Sequence, residues 1–194
     1  MPITKVNEDE LLDRLTCVFR THGFEGASLS IISKATGLQR ASLYHRFPGG
    51  KEEMAKAVLD RAWTWLKERA LTPLLGPGKP EARIRTMADR IREFFHGGQQ
   101  SCLLDSLSFG SDETPIRQHV QQGMGAWVEA IAKVAREAGV PQKKAHQQAQ
   151  DAIIRIQGSL VMARVLKDFG PFERTLSELP GIVLGGKYAK GGSR

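Results

Sequence analysis

The sequence predicts an all-α fold, and three observations support this. Apolar residues recur three and four positions apart along most of the 194 residues, as they do on one face of a helix. Glycine and proline separate these segments at intervals of about one helix length. No segment shows the alternation of apolar and polar residues that marks a half-buried strand. With 41% hydrophobic and 25% charged residues, the chain has the composition of a globular protein.

The first 45 residues predict three short helices. In the first, four apolar residues share one face, and Gly23 ends the helix because glycine accepts a left-handed backbone. Ser28 is the expected N-cap of the second helix, since its hydroxyl can accept a hydrogen bond from a free backbone amide. The residues 36–38 then form a turn that leads into a third helix over 39–45.

A longer helix is predicted to open at Lys51 and to end before the proline- and glycine-rich residues 73–80. Further helices are predicted over about 81–96, 101–109, 114–138, 142–167 and 172–184. The glycine-rich residues 185–194 are expected to be a flexible tail.

The net charge of +7 is unevenly distributed. Residues 26–51 contain four basic residues and no acidic one, whereas residues 52–178 contain 18 basic and 16 acidic residues. An acid-free basic segment indicates a polyanionic partner. The alternative is a solvated basic face without a partner.

Residues 28–45 have the length and punctuation of a helix-turn-helix. We expect Ile32, Ala35, Leu38 and Leu43 to pack inward. The residues expected to face outward are Gln39, Arg40, Ser42, Tyr44 and His45. Glutamine can pair with adenine and arginine with guanine in the major groove. Ser28 and Lys51 stand at helix N-termini, where backbone amides also favour phosphate. Three short helices with a glycine turn also occur in plain helical bundles.

The string HGFEGASLSIISKATGLQRASLYHRF over residues 22–47, followed by Lys51-Glu52, resembles the DNA-binding domain of the TetR family of transcriptional repressors. Ala27, Ser33 and Thr36 differ from the residues usual in this family, but each of them replaces one small residue with another. The segment FPGGKEE over residues 47–53 resembles the LmrA/YxaF-like subgroup.

This resemblance implies a helix-turn-helix domain over residues 1–50 and an effector-binding and dimerisation domain over 51–184. It implies a DNA interface in which phosphates meet Ser28, Tyr44 and Lys51, base edges meet Gln39, Arg40 and Ser42, and His45 lies near the DNA. The implied function is a repressor that binds a palindromic operator as a homodimer and is released by a small-molecule effector. Activation of transcription is the alternative mode of action.

The second domain carries weaker signals. Gly158, Ser159 and Ala163 allow close helix approach, so residues 145–184 are predicted to form the homodimer interface. An ordinary intramolecular core is the alternative. The effector, predicted to be apolar or aromatic, would bind among Trp63, Met87, Ile91, Phe94, Phe95, Cys102, Met124 and Trp127. Such an apolar stripe is also typical of plain core, and Cys102 is expected to be an inert buried thiol.

Enzyme, cofactor and metal functions are not predicted. The Gly49-Gly50-Lys51-Glu52 segment lacks the Ser or Thr of a P-loop, and the five histidines lack metal-ligand spacing. No apolar run approaches the length of a membrane span, and the acidic first residues do not form a signal peptide, so a cytoplasmic location is expected. A nonspecific nucleic-acid binder and a helical interaction module without DNA binding are the alternative function classes.

Overall fold

The computed structural model describes residues 6–107 and 115–185, except for the side chain of residue 105. All regular secondary structure in these residues is helical, which confirms the all-α prediction. The α-helices are α1 (Glu8–Gly26), α2 (Leu29–Thr36), α3 (Arg40–Arg46), α4 (Gly50–Leu66), α5 (Thr72–Leu74), α6 (Pro80–Phe94), α7 (Leu103–Ser106), α8 (Pro115–Glu137), α9 (Gln142–Leu166) and α10 (Gly170–Leu184). Within the described residues, no helix combines the length and hydrophobicity that a bilayer span requires.

The chain divides into two compact units. The first unit combines Met1–Trp63 with Leu103–Gln122, and the second combines Thr64–Cys102 with Gly123–Arg194. The predicted domain boundary between residues 50 and 51 remains a prediction, and it coincides with the start of α4 rather than with the end of the first unit. Apart from Gly185, the predicted tail lies outside the described residues.

In the first unit, α1 packs against α2 and α7. Its buried face carries Leu11, Leu15 and Phe19, as the sequence predicts. The helical path breaks at Gly23, whose φ of 66° is left-handed, and a short turn continues to residue 26. A Cβ atom at Gly23 would lie 3.2 Å from the Ser106 carbonyl oxygen, so this glycine also permits the close approach of α7.

In the second unit, α10 packs against α6 and α9. The Arg92 Nε atom of α6 lies 2.8 Å from a carboxylate oxygen of Glu173 in α10, and this hydrogen bond raises the pKa of Arg92. Arg83, also in α6, is almost completely buried. Its side chain donates hydrogen bonds to the Leu74 and Gly76 carbonyl oxygens and forms an ion pair with Glu137 at the end of α8.

A π-helical segment, Lys67–Leu71, joins α4 to α5, and no sequence pattern predicted it. The predicted loop start at residue 73 is wrong, because the helical path continues through Leu74. In a regular α-helix, a proline ring clashes with the carbonyl group four residues earlier. The wider i→i+5 bonding directly before Pro73 relieves that clash, so the helix passes the proline.

Candidate nucleic-acid interface

The turn between α2 and α3 is held by side-chain hydroxyl groups. Gly37 takes the left-handed conformation with φ of 71°, and its N–H donates to the Ser33 carbonyl oxygen. The Ser33 hydroxyl donates to the Leu38 carbonyl oxygen at 2.6 Å, and the Leu38 N–H donates to the Thr36 hydroxyl at 3.3 Å. Arg14 of α1 donates to the Thr36 carbonyl oxygen at 2.8 Å. These bonds fix the angle at which α3 leaves α2.

The inward face of this helix-turn-helix differs from the predicted one at a single position. Ile32, Leu38 and Leu43 are buried, as predicted, but Ala35 is exposed and its predicted inward packing is wrong. Thr36 is fully buried instead. Thr36 follows Ile32 by four residues and therefore lies on the same helix face.

Helix α3 presents a polar surface to solvent. Leu43 is its only buried residue. The residues predicted to face outward are all exposed, and they are Gln39, Arg40, Ser42, Tyr44 and His45. Arg46 is exposed as well, but its guanidinium donates to the Val6 carbonyl oxygen at 3.0 Å and so ties the start of the chain to α3. The structure therefore brings the five predicted residues together on one short helix and its N-cap.

The start of α4 adds three features that sequence reasoning missed. Gly50 has a left-handed φ of 67°, and a Cβ atom there would lie 3.3 Å from the Tyr44 ring. The Glu53 carboxylate accepts a hydrogen bond from the Gly49 N–H at 2.7 Å. The Lys51 ammonium lies 4.3 Å from the centre of the Phe24 ring, a cation–π distance. The pair Gly49-Gly50 followed by Lys51-Glu52-Glu53 was the sequence signal for this arrangement at the N-terminus of α4.

Ser28 is exposed and caps α2, as predicted. Its Oγ atom accepts a hydrogen bond from the Ile31 N–H at 3.3 Å, so the hydroxyl proton can be donated to another group. Ser28, Tyr44 and Lys51 therefore offer a hydroxyl, a phenol and an ammonium, and these are groups that bind phosphate oxygens.

The residues predicted to bind an effector do not all fall in one unit. Trp63 belongs to the first unit and the others to the second. Of these others, Phe94 and Met124 are half-buried, and the buried ones are Met87, Ile91, Phe95, Cys102 and Trp127.

Two aromatic residues of the second unit, Trp65 and Phe172, are not among the predicted effector-binding residues. The Trp65 and Phe94 ring centroids are 4.8 Å apart, and those of Phe95 and Phe172 are 6.2 Å apart with the rings edge to face. A Cβ atom at Gly98 would lie 3.1 Å from the Phe172 ring. Because Phe172 lies in α10, far along the chain from Phe95, its proximity depends on tertiary packing and leaves no local signal.

Helix α9 carries an exposed apolar face. The exposed apolar side chains on this face recur three, four and seven residues apart. They are Ile154, Val161, Met162, Val165, Leu166 and, just beyond the end of the helix, Phe169. Of the small residues predicted to allow close helix approach, Gly158 lies on this exposed face. Ser159 and Ala163 are buried and face the interior of their own unit.

Two family models match the chain. Residues 11–58 match the bacterial regulatory proteins of the tetR family, and residues 80–178 match the C-terminal domain of LmrA/YxaF-like transcriptional regulators. The chain belongs to the TetR family. Members of this family are DNA-binding transcriptional regulators rather than enzymes, and the N-terminal match covers the helix-turn-helix described above.

Several TetR-family relatives match most of the chain. LmrA of Bacillus subtilis is 21% identical over 183 residues, covering 91% of this chain and 96% of that protein. A TetR-family regulator from Legionella pneumophila superposes with a TM-score of 0.78 at 20% identity, covering 92% of this chain and 97% of that chain. A cysteine mutant of the regulator CifR, in complex with 26-base-pair operator DNA, superposes with a TM-score of 0.72 at 20% identity. The superposition covers 94% of this chain and 98% of that chain.

Proposed function

We propose that this TetR-family chain is a cytoplasmic repressor that binds a palindromic operator as a homodimer and is released by a small-molecule effector. The observation that carries the proposal is the surface of α3, where one leucine is buried and every other side chain faces solvent. A helix that enters the major groove requires this arrangement, because its outward residues must reach the base edges.

Each exposed residue of the interface has a matching chemical role. Arg40 at the start of α3 can bind the O6 and N7 atoms of guanine, and Gln39 can bind the N6 and N7 atoms of adenine. Ser42 lies on the same helix and can bind either base, and His45 is expected to lie near the DNA. Ser28, Tyr44 and Lys51 bind phosphates and set the register. The acid-free charge of residues 26–51 favours this approach electrostatically.

The exposed face of α9 supports a homodimer. Val165 is 74% exposed and Ile154 is 66% exposed, and apolar side chains with this helical spacing are typical of a helix seam that a second copy covers. The second copy in a homodimer carries its own α3, and helix-turn-helix dimers bind two half-sites about one DNA turn, or about 34 Å, apart. The 26-base-pair operator in the CifR complex is long enough for two such half-sites.

The proposed DNA specificity is tested by selecting bound duplexes from a random pool with the full-length protein. We expect an inverted repeat that outcompetes random duplex in a gel shift. If no repeat is recovered and the protein binds random duplex with an affinity that falls steeply with salt, it is a nonspecific binder.

The recognition helix is tested by substitution. Replacing Arg40 and Tyr44 together by Ala should abolish specific binding without changing the dimer mass in sedimentation. Arg85→Ala is the matched control, because Arg85 is an exposed arginine of the second unit paired only with Glu81. If the double variant binds the selected duplex as wild type does, the assignment of α3 is wrong.

The mode of action is tested by transcription in vitro from a promoter that carries the selected repeat. We expect the protein to reduce the transcript level. An increase would establish activation in place of repression.

A further inference from the structure

Trp127 of α8 has a buried hydrogen-bond donor that no group in the described chain accepts. Its side chain is 1% exposed, and its Nε1–H has no hydrogen-bond partner. Buried amide atoms of Gln148 and Gln157 are also unpaired, but both residues are only half-buried and their amides can rotate. The indole ring is rigid, so Trp127 cannot turn its donor toward water.

An unpaired indole N–H is unusual because the group is a donor only and usually finds an acceptor when buried. On burial it loses its hydrogen bond to water, and any acceptor that reaches it restores the lost interaction. Trp127 therefore has a vacant hydrogen-bonding capacity that a bound molecule can use.

The buried residues of the second unit indicate the chemistry of that molecule. The other buried residues predicted to bind an effector in the second unit are apolar or weakly polar, namely Met87, Ile91, Phe95 and Cys102. Arg83 is the only charged residue that is buried in the described part of the chain. It is paired with Glu137, ten residues and about 15 Å along α8 from Trp127. The described residues therefore offer no unpaired buried charge to a charged ligand.

We infer that the effector of this protein is an uncharged, largely apolar molecule with a hydrogen-bond acceptor, and that the Trp127 Nε1–H donates to that acceptor. This inference rests on the proposed effector-binding function and specifies the ligand class for it. The apolar residues supply the affinity, and Trp127 selects acceptor-bearing molecules over hydrocarbons of the same shape.

The test uses two probes that differ only at the acceptor. 2-Acetylnaphthalene carries a carbonyl oxygen, and 2-isopropenylnaphthalene has a methylene group in its place. Binding of each to the full-length protein is measured by equilibrium dialysis. We expect the acetyl compound to bind wild type about three- to tenfold more tightly, which is the typical net effect of one neutral hydrogen bond.

The variants assign this preference to a single side chain. Trp127→Phe keeps a buried ring and removes the donor, so it should bind both probes equally and bind the isopropenyl compound as wild type does. Trp65→Phe is the matched control, because Trp65 is a half-buried tryptophan of the second unit that stacks on Phe94, and it should keep the preference.

An NMR measurement on wild type covers the case in which Trp127→Phe does not fold. The chain has three tryptophans and hence three indole N–H resonances, which the single Trp63→Phe and Trp65→Phe variants assign. The acetyl compound should shift the Trp127 resonance downfield, and the isopropenyl compound should not.

Three results would overturn the inference: equal affinity of wild type for the two probes, a preference that survives in Trp127→Phe, or no binding of either probe. None of these measurements contains DNA, so they are independent of the operator experiments. A failed duplex selection would remove the proposed function and leave a Trp127-dependent preference standing, whereas equal probe affinities would leave operator binding untouched.

Discussion

Gly50 leaves room for the Tyr44 ring, and this pair offers a sharp test at the scale of single residues. In Gly50→Ala, the new Cβ atom meets the Tyr44 ring at 3.3 Å. The alanine must also adopt the left-handed backbone conformation of Gly50. We expect a loss of about 1 kcal/mol in the free energy of unfolding from the backbone conformation. We also expect a roughly tenfold loss of operator affinity, because the displaced Tyr44 loses a charge-assisted bond to phosphate.

Gly139→Ala separates these two effects. Gly139 also has a positive φ, of 89°, but a Cβ atom there meets nothing within 4 Å. Urea denaturation should therefore show a similar loss of stability, whereas a gel shift should show unchanged operator affinity. Equal affinity losses in the two variants would contradict the role given to the Tyr44 contact.

Thr36 provides a second residue-scale prediction. Its buried hydroxyl accepts from the Leu38 N–H and donates to the Ile32 carbonyl oxygen. Thr36→Val leaves a buried N–H unpaired, so the free energy of unfolding should fall by about 1–3 kcal/mol in urea denaturation. The control is Thr21→Val, which removes an exposed hydroxyl bonded only within α1 and should change stability by less than about 0.5 kcal/mol. Similar values for both variants would refute the role of Thr36.

At this scale, the exposed residues of α3 could be predicted because Leu43 fixes which face of a short helix is inward. The buried Thr36 could not be predicted from its polarity. Its burial depends on hydrogen bonds within the turn, which become visible only when the backbone path is known. Sequence reasoning therefore favoured Ala35, the more apolar neighbour, and was wrong.

Among the elements, the exposed face of α9 leads to a prediction about assembly. A Cβ atom at Gly158 meets nothing within 4 Å in a single chain. Gly158→Leu should therefore not destabilise the protomer, since glycine costs a helix interior about 1 kcal/mol relative to good helix formers. Across a close helix pair, however, the added side chain should raise the dimer dissociation constant at least about tenfold, because it prevents the packing of the two copies. Analytical ultracentrifugation measures this change.

Gly125 is the matched position in α8. It is exposed, lies inside a helix and has no atom within 4 Å of an added Cβ. Gly125→Leu should leave the dimer dissociation constant unchanged. If Gly125→Leu weakens the dimer as much as Gly158→Leu does, the interface does not lie on α9.

Helix limits were largely predictable because glycine and proline mark them. Gly37, for example, ends α2 in a left-handed conformation that other residues adopt at a cost. The π-helical segment was not predictable, since five residues are too few to show a period. The edge-to-face contact of Phe95 with Phe172 also lacked a local signal, because it depends on how α10 packs in the second unit.

At the scale of the whole molecule, the charge distribution predicts the salt dependence of DNA binding. Lys51 is expected to contact one phosphate in each half-site, so Lys51→Gln removes two contacts per dimer. The slope of log affinity against log salt should become shallower by about 2, at roughly 0.9 per phosphate. Lys143→Gln, which removes an exposed charge from α9, should leave the slope unchanged. Equal slopes for wild type and Lys51→Gln would exclude Lys51 from the phosphate contacts.

The division into two units illustrates the limit of sequence reasoning at this scale. The basic segment and the helix-turn-helix are continuous in sequence, so local patterns were sufficient to find them. The segment Leu103–Gln122 joins the first unit although the 39 residues 64–102 separate it from the other part of that unit. Such an association arises from packing between distant segments, and no local pattern encodes it.

The π-helical segment Lys67–Leu71 also has a consequence for chain length. A π turn contains one residue more than an α turn, while the helices on either side keep their own phase. Three neighbouring residues of this segment, Lys67, Glu68 and Arg69, are exposed. Loss of one of them can convert the segment to a regular α turn without moving any buried residue to solvent. This helix can therefore shorten by one residue during evolution while the residues before and after it remain in register.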